Sequence, residues 1–177
     1  MRAREVLLKK IKFKLLTLAL LLFLNNSAMA DITNIETIIS HLDKLENCTV
    51  SFIQTSENEI SEGDIFIGPD RIRIEYYLPT KILLILDDDK AMYYNYELNE
   101  DEFFNPQNTS AQFFLEIFKN PSFFLDAKTK NEENYILIEK EIVNDTDVFV
   151  LKLFFEDKPL VFRKIELLGQ DTTLSMS

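Results

Sequence analysis

The sequence predicts an α+β domain, mainly β, of about eleven antiparallel strands with two or three helices. Three observations carry this. Between Glu62 and Asn95 the chain reads EGDIFIGPDRIRIEYYLPTKILLILDDDKAMYYN, four consecutive strand-like pieces separated by polar turns. A single helical stripe precedes them, and a phenylalanine-rich helical stretch follows. From Ala127 onward the chain returns to short alternating runs.

The first helix is read from Ile35, Ile38, Ile39, Leu42 and Leu45, which recur at helical spacing, with Thr33 and Glu36 placed as a capping box. It is expected to run for about four turns. Val50 and Phe52 open the first strand, which ends near Ser56, and the second runs from about Ile60 to Ile67. There Ile65 and Ile67 alternate with Asp64 and Phe66. Beyond the tight turn Gly68-Pro69-Asp70, Ile72, Ile74 and Tyr76 alternate with Arg71, Arg73 and Glu75. Ile82 to Leu86 is apolar on both faces, so it calls for cover on both sides, from a helix or from something apolar bound there. Asp87-Asp88-Asp89-Lys90 reads as a solvated hairpin turn, because a calcium loop needs spaced oxygen ligands and usually a glycine. A tyrosine-rich strand, Ala91 to Tyr96, follows.

Ser110 is placed as the cap of a second helix, Ala111 to Lys119, carrying Phe113, Phe114, Leu115, Ile117 and Phe118. With Phe123 and Phe124 just beyond, five phenylalanines fall within twelve residues. A helix so apolar around its circumference is buried on more than one side. It is either a core helix under a sheet or a lid over a cavity. Strands are then expected at 128–131, 134–140, 148–155, 160–167 and 172–176, with turns at Asn144-Asp145 and Glu156-Asp157-Lys158-Pro159.

The N-terminus has the pattern of a secretory signal peptide: six basic residues, an apolar run from Leu15 to Leu24, and Ser27-Ala28-Met29-Ala30 as a cleavage site. The run of about ten residues is too short to span a bilayer as a helix. Residues 1–30 are therefore assigned to the leader and 31–177 to one domain. The sole cysteine, Cys48, does not directly follow the apolar run, so no lipid anchor is expected. It reads as a small hydrophobe on the first strand, and the core alone must hold the fold. The leader carries six basic residues and one acidic one, so its removal takes the formal charge from −11 to −16. No basic stripe remains for nucleic acid, and anionic headgroups would repel the chain. Such a charge suits a protein kept off membrane surfaces and equally one that is merely soluble.

Little catalytic chemistry is available. One histidine, His41, and one cysteine exclude the usual zinc and triad sets, so no metal, cofactor or enzymatic activity is expected. Thirty acidic residues guarantee some neighbouring carboxylates, so a glycosidase-like pair carries almost no information.

The pieces Phe52-x-Gln54, Gly63, Gly68-Pro69-x-Arg71-x-Arg73-x-x-Tyr76-x-x-Pro79, the run Asp87 to Asn95 and the Phe-rich helix after Ser110 resemble, in that order, the LolA family of periplasmic outer-membrane lipoprotein carriers. The resemblance covers most of residues 33 to 168. It implies an incomplete antiparallel β-barrel with a helical lid, whose interior takes the acyl chains of lipoproteins released by an inner-membrane ABC transporter and passes them to an outer-membrane acceptor. A monomer in the periplasm is implied. Mapped by alternation, Ile65, Ile67, Ile72, Ile74, Tyr76, Leu84 and Met92 line the cavity, and Ile38, Leu42, Phe114, Ile117 and Phe118 form the lid underside. A slip of one residue would invert each strand's set. Many family members have an arginine where this chain has Gly68, and there it helps hold the lid. Arg71 and Arg73 are the candidates for that latch here. Family members usually continue past the position of Ser177 with another strand and loop, so the chain reads as short at that end. The alternative function on the same scaffold is a periplasmic sensor or interaction module for lipids or lipoproteins.

Overall fold

The structure, a computed structural model, describes residues 34–56, 59–144, 147–170 and 173–177. The leader and Thr33 lie outside them. Helix α1 (Ile35–Asp43) starts at Asn34, whose Oδ1 accepts from the Thr37 amide at 2.9 Å and the Thr37 hydroxyl at 2.8 Å. Asparagine is thus the cap, not the box read at Thr33 and Glu36. The helix makes about two and a half turns, fewer than expected. A turn at 44–47 ends it, with Asn47 at φ 61°, a left-handed angle asparagine tolerates better than most residues.

Eleven strands follow: β1 (Cys48–Ser56), β2 (Glu59–Ile67), β3 (Ile72–Leu78), β4 (Ile82–Leu86), β5 (Ala91–Asn95), β6 (Glu100–Phe104), β7 (Lys128–Asn131), β8 (Tyr135–Asn144), β9 (Asp147–Glu156), β10 (Val161–Leu168) and β11 (Thr173–Met176). They form one antiparallel sheet in the order β6-β5-β4-β3-β2-β1-β11-β10-β9-β8-β7. The sheet does not close, so β6 and β7 are free edges. This is the expected class, an incomplete antiparallel barrel with helical cover. Two meanders of sequential hairpins, β1–β6 and β7–β11, are joined only where β1 pairs with β11.

Sequence reading missed β6. Its first residues, Glu100-Asp101-Glu102, have low strand propensity and look like a turn. At an edge, however, charges are what a strand carries to discourage pairing with another chain. The turn before it is organised by Asn95, a buried polar residue whose Oδ1 accepts from the amides of Glu97 at 3.0 Å and Leu98 at 3.1 Å.

The segment joining the two edges, residues 105–127, holds helix α2 (Gln112–Phe118) between two single-turn 3-10 helices, Pro106–Asn108 and Pro121–Phe124. Because β6 and β7 end on opposite sides of the opening, this connection must cross it. Its Phe113, Leu115, Ile117 and Phe124 belong to the same core as Ile38 and Leu42 of α1 and the inward residues of the sheet. The predicted cap at Ser110 is absent. Ala111 occupies the N-cap without a side-chain bond, and the Thr109 hydroxyl accepts from the Ala111 amide at 3.2 Å.

Gly63 marks the tightest place in the sheet. It faces Phe52 across the β1–β2 ladder, beside a register shift in the β2–β3 ladder, and an added Cβ would sit 2.1 Å from the Glu75 carbonyl and 2.7 Å from the Phe52 ring. Gly63→Ala is expected to lower stability by about 2–3 kcal/mol in urea denaturation. Gly68→Ala, whose Cβ would lie 3.2 Å from the Arg71 carbonyl, is expected to cost less than about 1 kcal/mol.

Candidate functional site

The inward faces of β1, β2, β10 and β11, roofed by α1 and the end of α2, enclose an apolar cavity of about 380 Å³. Leu45, Val50, Phe52, Ile65, Phe162 and Met176 are among its walls, and Phe118 of α2 also borders it. Its mouth is found by a mismatch in burial. Val50 and Ile65 are cross-strand partners on the inward face, yet Val50 is 47 % exposed and Ile65 only 3 %. The far wall is shaped by a bulge in β10, where the register shifts between Phe162 and Lys164. The bulge sends Phe162 inward to stack on Phe155 at 4.9 Å and to meet Phe118 at 6.1 Å. Lys164 goes to the outer face, over Phe154 and paired with Glu166 at 2.5 Å. Arg163, left unpaired in the ladder, stands at the cavity with its side chain 59 % exposed.

The residues predicted to line a cavity are divided by the structure. Ile65 and Ile67 line it. Ile72 and Ile74 are wholly buried in the packed core, and Tyr76 and Leu84 pack against that core away from the opening. Met92 requires correction. The β4–β5 turn pairs Leu86 with Ala91 and Leu84 with Tyr93, so Ala91, Tyr93 and Asn95 share the inward face. Met92 lies outside, level with Ile85 and Phe103. The outer side chains of β4, Leu83 and Ile85, are half-buried and stand apart from the core. Their neighbours across the strands are Glu75 and Arg73 of β3 and Tyr94 and Met92 of β5. The walls from β10 and β11 were not legible because the β1–β11 pairing that brings them to β2 is non-local.

Of the predicted lid residues, Ile38, Leu42 and Ile117 are fully buried. Phe114 and Phe118 are only partly buried, and the deepest side chains of α2 also include Phe113, which meets Phe149 of β9 at 5.8 Å. So short a helix, packed on several sides, has no single underside.

The latch is also not where it was expected. Arg73 is on the outer face, paired with Glu75 and 5.4 Å above the Phe66 ring, and Arg71 is exposed. Instead, Lys119 at the end of α2 donates to the carbonyls of Gly68, at 2.7 Å, and Pro69 in the β2–β3 turn. The donor is on the lid and the acceptors are on the barrel. A second tie comes from Lys140, on the inward face of β8, which donates to the Phe123 carbonyl at 2.6 Å, pairs with Asp126 and lies 4.2 Å from the Phe123 ring centre. A third joins Gln107 Nε2 to the Asp88 carbonyl at 2.9 Å.

Electrostatics follow burial and these ties. Burial, then Lys44, pushes the His41 imidazole below its ordinary value, which favours the neutral ring. Burial raises the Cys48 thiol, so little thiolate forms near neutrality. The hydrogen bond from Lys140 holds Asp126 below the usual carboxylate range. Burial pushes the Tyr76 phenol up to about 12, with its hydroxyl donating to Gln54 at 3.0 Å. Among the described residues, no cluster of His, Cys, Asp and Glu is arranged to hold a metal ion, and no helix is long and apolar enough to cross a membrane.

No protein-family model matches this chain, and no curated protein is significantly similar to it.

Two outcomes test this geometry. Lys119→Met is expected to speed amide hydrogen exchange in α2 about tenfold while lowering global stability by only about 1 kcal/mol. Unchanged exchange would mean that the tie does not hold the helix. Tyr76 binds its proton more tightly in the folded than in the unfolded chain, so its contribution is complete below about pH 10 and is lost as pH rises towards 12. Denaturation across that range should show a fall that Tyr76→Phe reduces by roughly 2–3 kcal/mol.

Proposed function

We propose that the protein is an acyl-chain carrier of the LolA type, which takes lipoproteins from an inner-membrane ABC transporter, shields their acyl chains in the apolar cavity, and delivers them to an outer-membrane acceptor. The observation that carries this reading is the cavity itself: apolar walls, an open mouth, and a roof of short helices tied to the barrel by a few side-chain to carbonyl bonds. At about 0.8 kcal/mol per methylene, a dozen buried methylenes contribute on the order of 10 kcal/mol before ordering costs, enough to compete with a membrane for a chain. Release requires that the space be opened again, and cover held by a few polar ties is easier to displace than a continuous sheet. The leader pattern supports export, and the acidic surface supports a protein that does not remain on anionic bilayers.

The direct test is incubation of the purified protein with spheroplasts making labelled lipoproteins. Newly made lipoprotein is expected in the soluble fraction, bound one to one. Val50→Asp, at the exposed mouth where folding is tolerated, is expected to reduce that yield about tenfold or more. A soluble fraction free of lipoprotein with the folded wild-type protein would refute the carrier reading.

A further inference from the structure

Strand β4 is apolar on both faces, yet only its inward face packs on the core. Leu84 and Leu86 meet the interior, whereas Leu83 and Ile85 point outward and stand apart from it. The ladders set Arg73, Ile85, Met92 and Phe103 level with one another on this outer face, and Glu75, Leu83, Tyr94 and Asp101 level one step further along. The apolar members lie on adjacent strands β4, β5 and β6 and form one patch. Tyr96, half exposed, extends it by meeting Tyr94 at 4.8 Å, and Phe103 at its margin is 57 % exposed. Charge borders the patch: the Arg73–Glu75 pair on β3, and Lys90, whose Nζ lies 4.8 Å from the centre of the Phe103 ring.

A second copy of the same face fits this pattern in one orientation. Sheets stacked face to face keep their strands within about 30° of each other, and a closed pair of like chains is related by a twofold axis. An axis running along the strands sets β3 against β6 of the second copy, which brings Glu75 against Asp101, two carboxylates. An axis running across the strands, between the two levels, sets each strand against its own copy with the levels exchanged. Arg73 then meets Glu75 of the second copy and Glu75 meets its Arg73, so that two ion pairs become a ring of four alternating charges. Ile85 meets Leu83, Met92 meets Tyr94, and Lys90 comes to the ring of Tyr96. Asp101 comes to Phe103 and the ammonium above it. The face is thus complementary to itself in charge, whereas the acidic edge of β6 repels a second β6.

We propose that the outer face of β3–β6 is the interface of a homodimer whose twofold axis crosses the strands between the levels of Arg73 and Glu75. This departs from the monomer that the resemblance implies. It does not depend on the carrier reading, because the cavity is walled by inward faces and association uses an outward one. Strands about 4.8 Å apart with residues about 3.4 Å long give the face of four strands an area of roughly 400 Å² per copy. A standard interface buries about twice that, so the dimer is weak, with a Kd on the order of 10–100 μM.

Sedimentation velocity on the purified protein from about 1 to about 500 μM provides the test, and a concentration-dependent passage from monomer to dimer is expected. Arg73→Glu and Glu75→Arg each bring like charges together across the axis, and each alone is expected to raise the Kd about tenfold or more. An equimolar mixture of the two variants is expected to regain the dimer, because one then supplies two carboxylates where the other supplies two guanidinium groups. That recovery separates a contact between copies from the loss of the pair within one chain. Both side chains are on the outer face, where the fold tolerates the changes, and circular dichroism checks that it does. Met92→Glu, at the centre of the patch, is expected to weaken the dimer about tenfold or more as well. Wild-type protein that stays monomeric at the highest concentration, charge variants that associate as the wild type does, or a mixture that remains monomeric would each overturn the proposal. So would a dimer left intact by folded Met92→Glu, since it would use another surface.

Discussion

The pairing of β1 with β11 is the constraint on which everything else depends. It comprises three residue pairs, Gln54 with Met176, Thr55 with Ser175 and Ser56 with Leu174, extended by two backbone bonds between Ile53 and Ser177 at 2.8 and 3.0 Å. All other neighbours in the sheet are consecutive in sequence. Without this seam the chain is two separate meanders, each with one apolar face to cover. With it, the inward residues of β2 and those of β10 face a common interior, and the two remaining edges fall on opposite sides of one opening. Closing a loop of more than a hundred residues to form so short a seam carries a large entropic cost. The seam is kept because Phe52 and Met176, buried beside it, share the core with both halves.

The helical cover is a consequence of that topology. A connection from β6 to β7 has to cross the opening, and its apolar residues find the interior there. What distinguishes it from an ordinary core element is how it is fastened. Its interior face is held by phenylalanine contacts that depend little on geometry, while its orientation is set by Lys119 and Lys140 reaching backbone carbonyls. Such bonds to charged donors are individually stronger than neutral ones, yet they are few and partly exposed to water. The packing is favourable but replaceable by other apolar matter. An acyl chain would be a substitute of the same chemistry, and this supports the proposal that the cavity beside the helix is a site.

Alternation and turn chemistry are local, and they were legible in the sequence, whereas both helix caps were misplaced: Asn34 caps α1, and Ala111 holds the N-cap of α2 without a side-chain bond. Ten of the strands, the helices and the tight turns at Gly68-Pro69 and Asp87–Lys90 follow from residues close together in the chain. The exceptions have physical causes. Acidic β6 looks like a turn because edge strands are selected against stickiness. Met92 changes faces because the turn after Leu86 pairs it with Ala91, and with a period of two a single residue decides which side chain points inward. The predicted latch arginines failed for a similar reason: Arg73 is on the outer face, by the same alternation that buries Ile72 and Ile74.

By itself the sequence determined the mainly β class and which segments are greasy enough to form an interior. It did so because these properties depend on neighbours within a few residues. Only the tertiary structure decided where the interior stays open. The cavity lies between β1–β2 and β10–β11, not under β3–β5 where the longest apolar runs are, because the inward residues Ile72, Ile74 and Leu86 there are wholly buried in the packed core. The polarity of the lid tie was decided in the same way. Lys119 is fifty residues from the turn it binds, and no periodicity links two groups brought together only by folding.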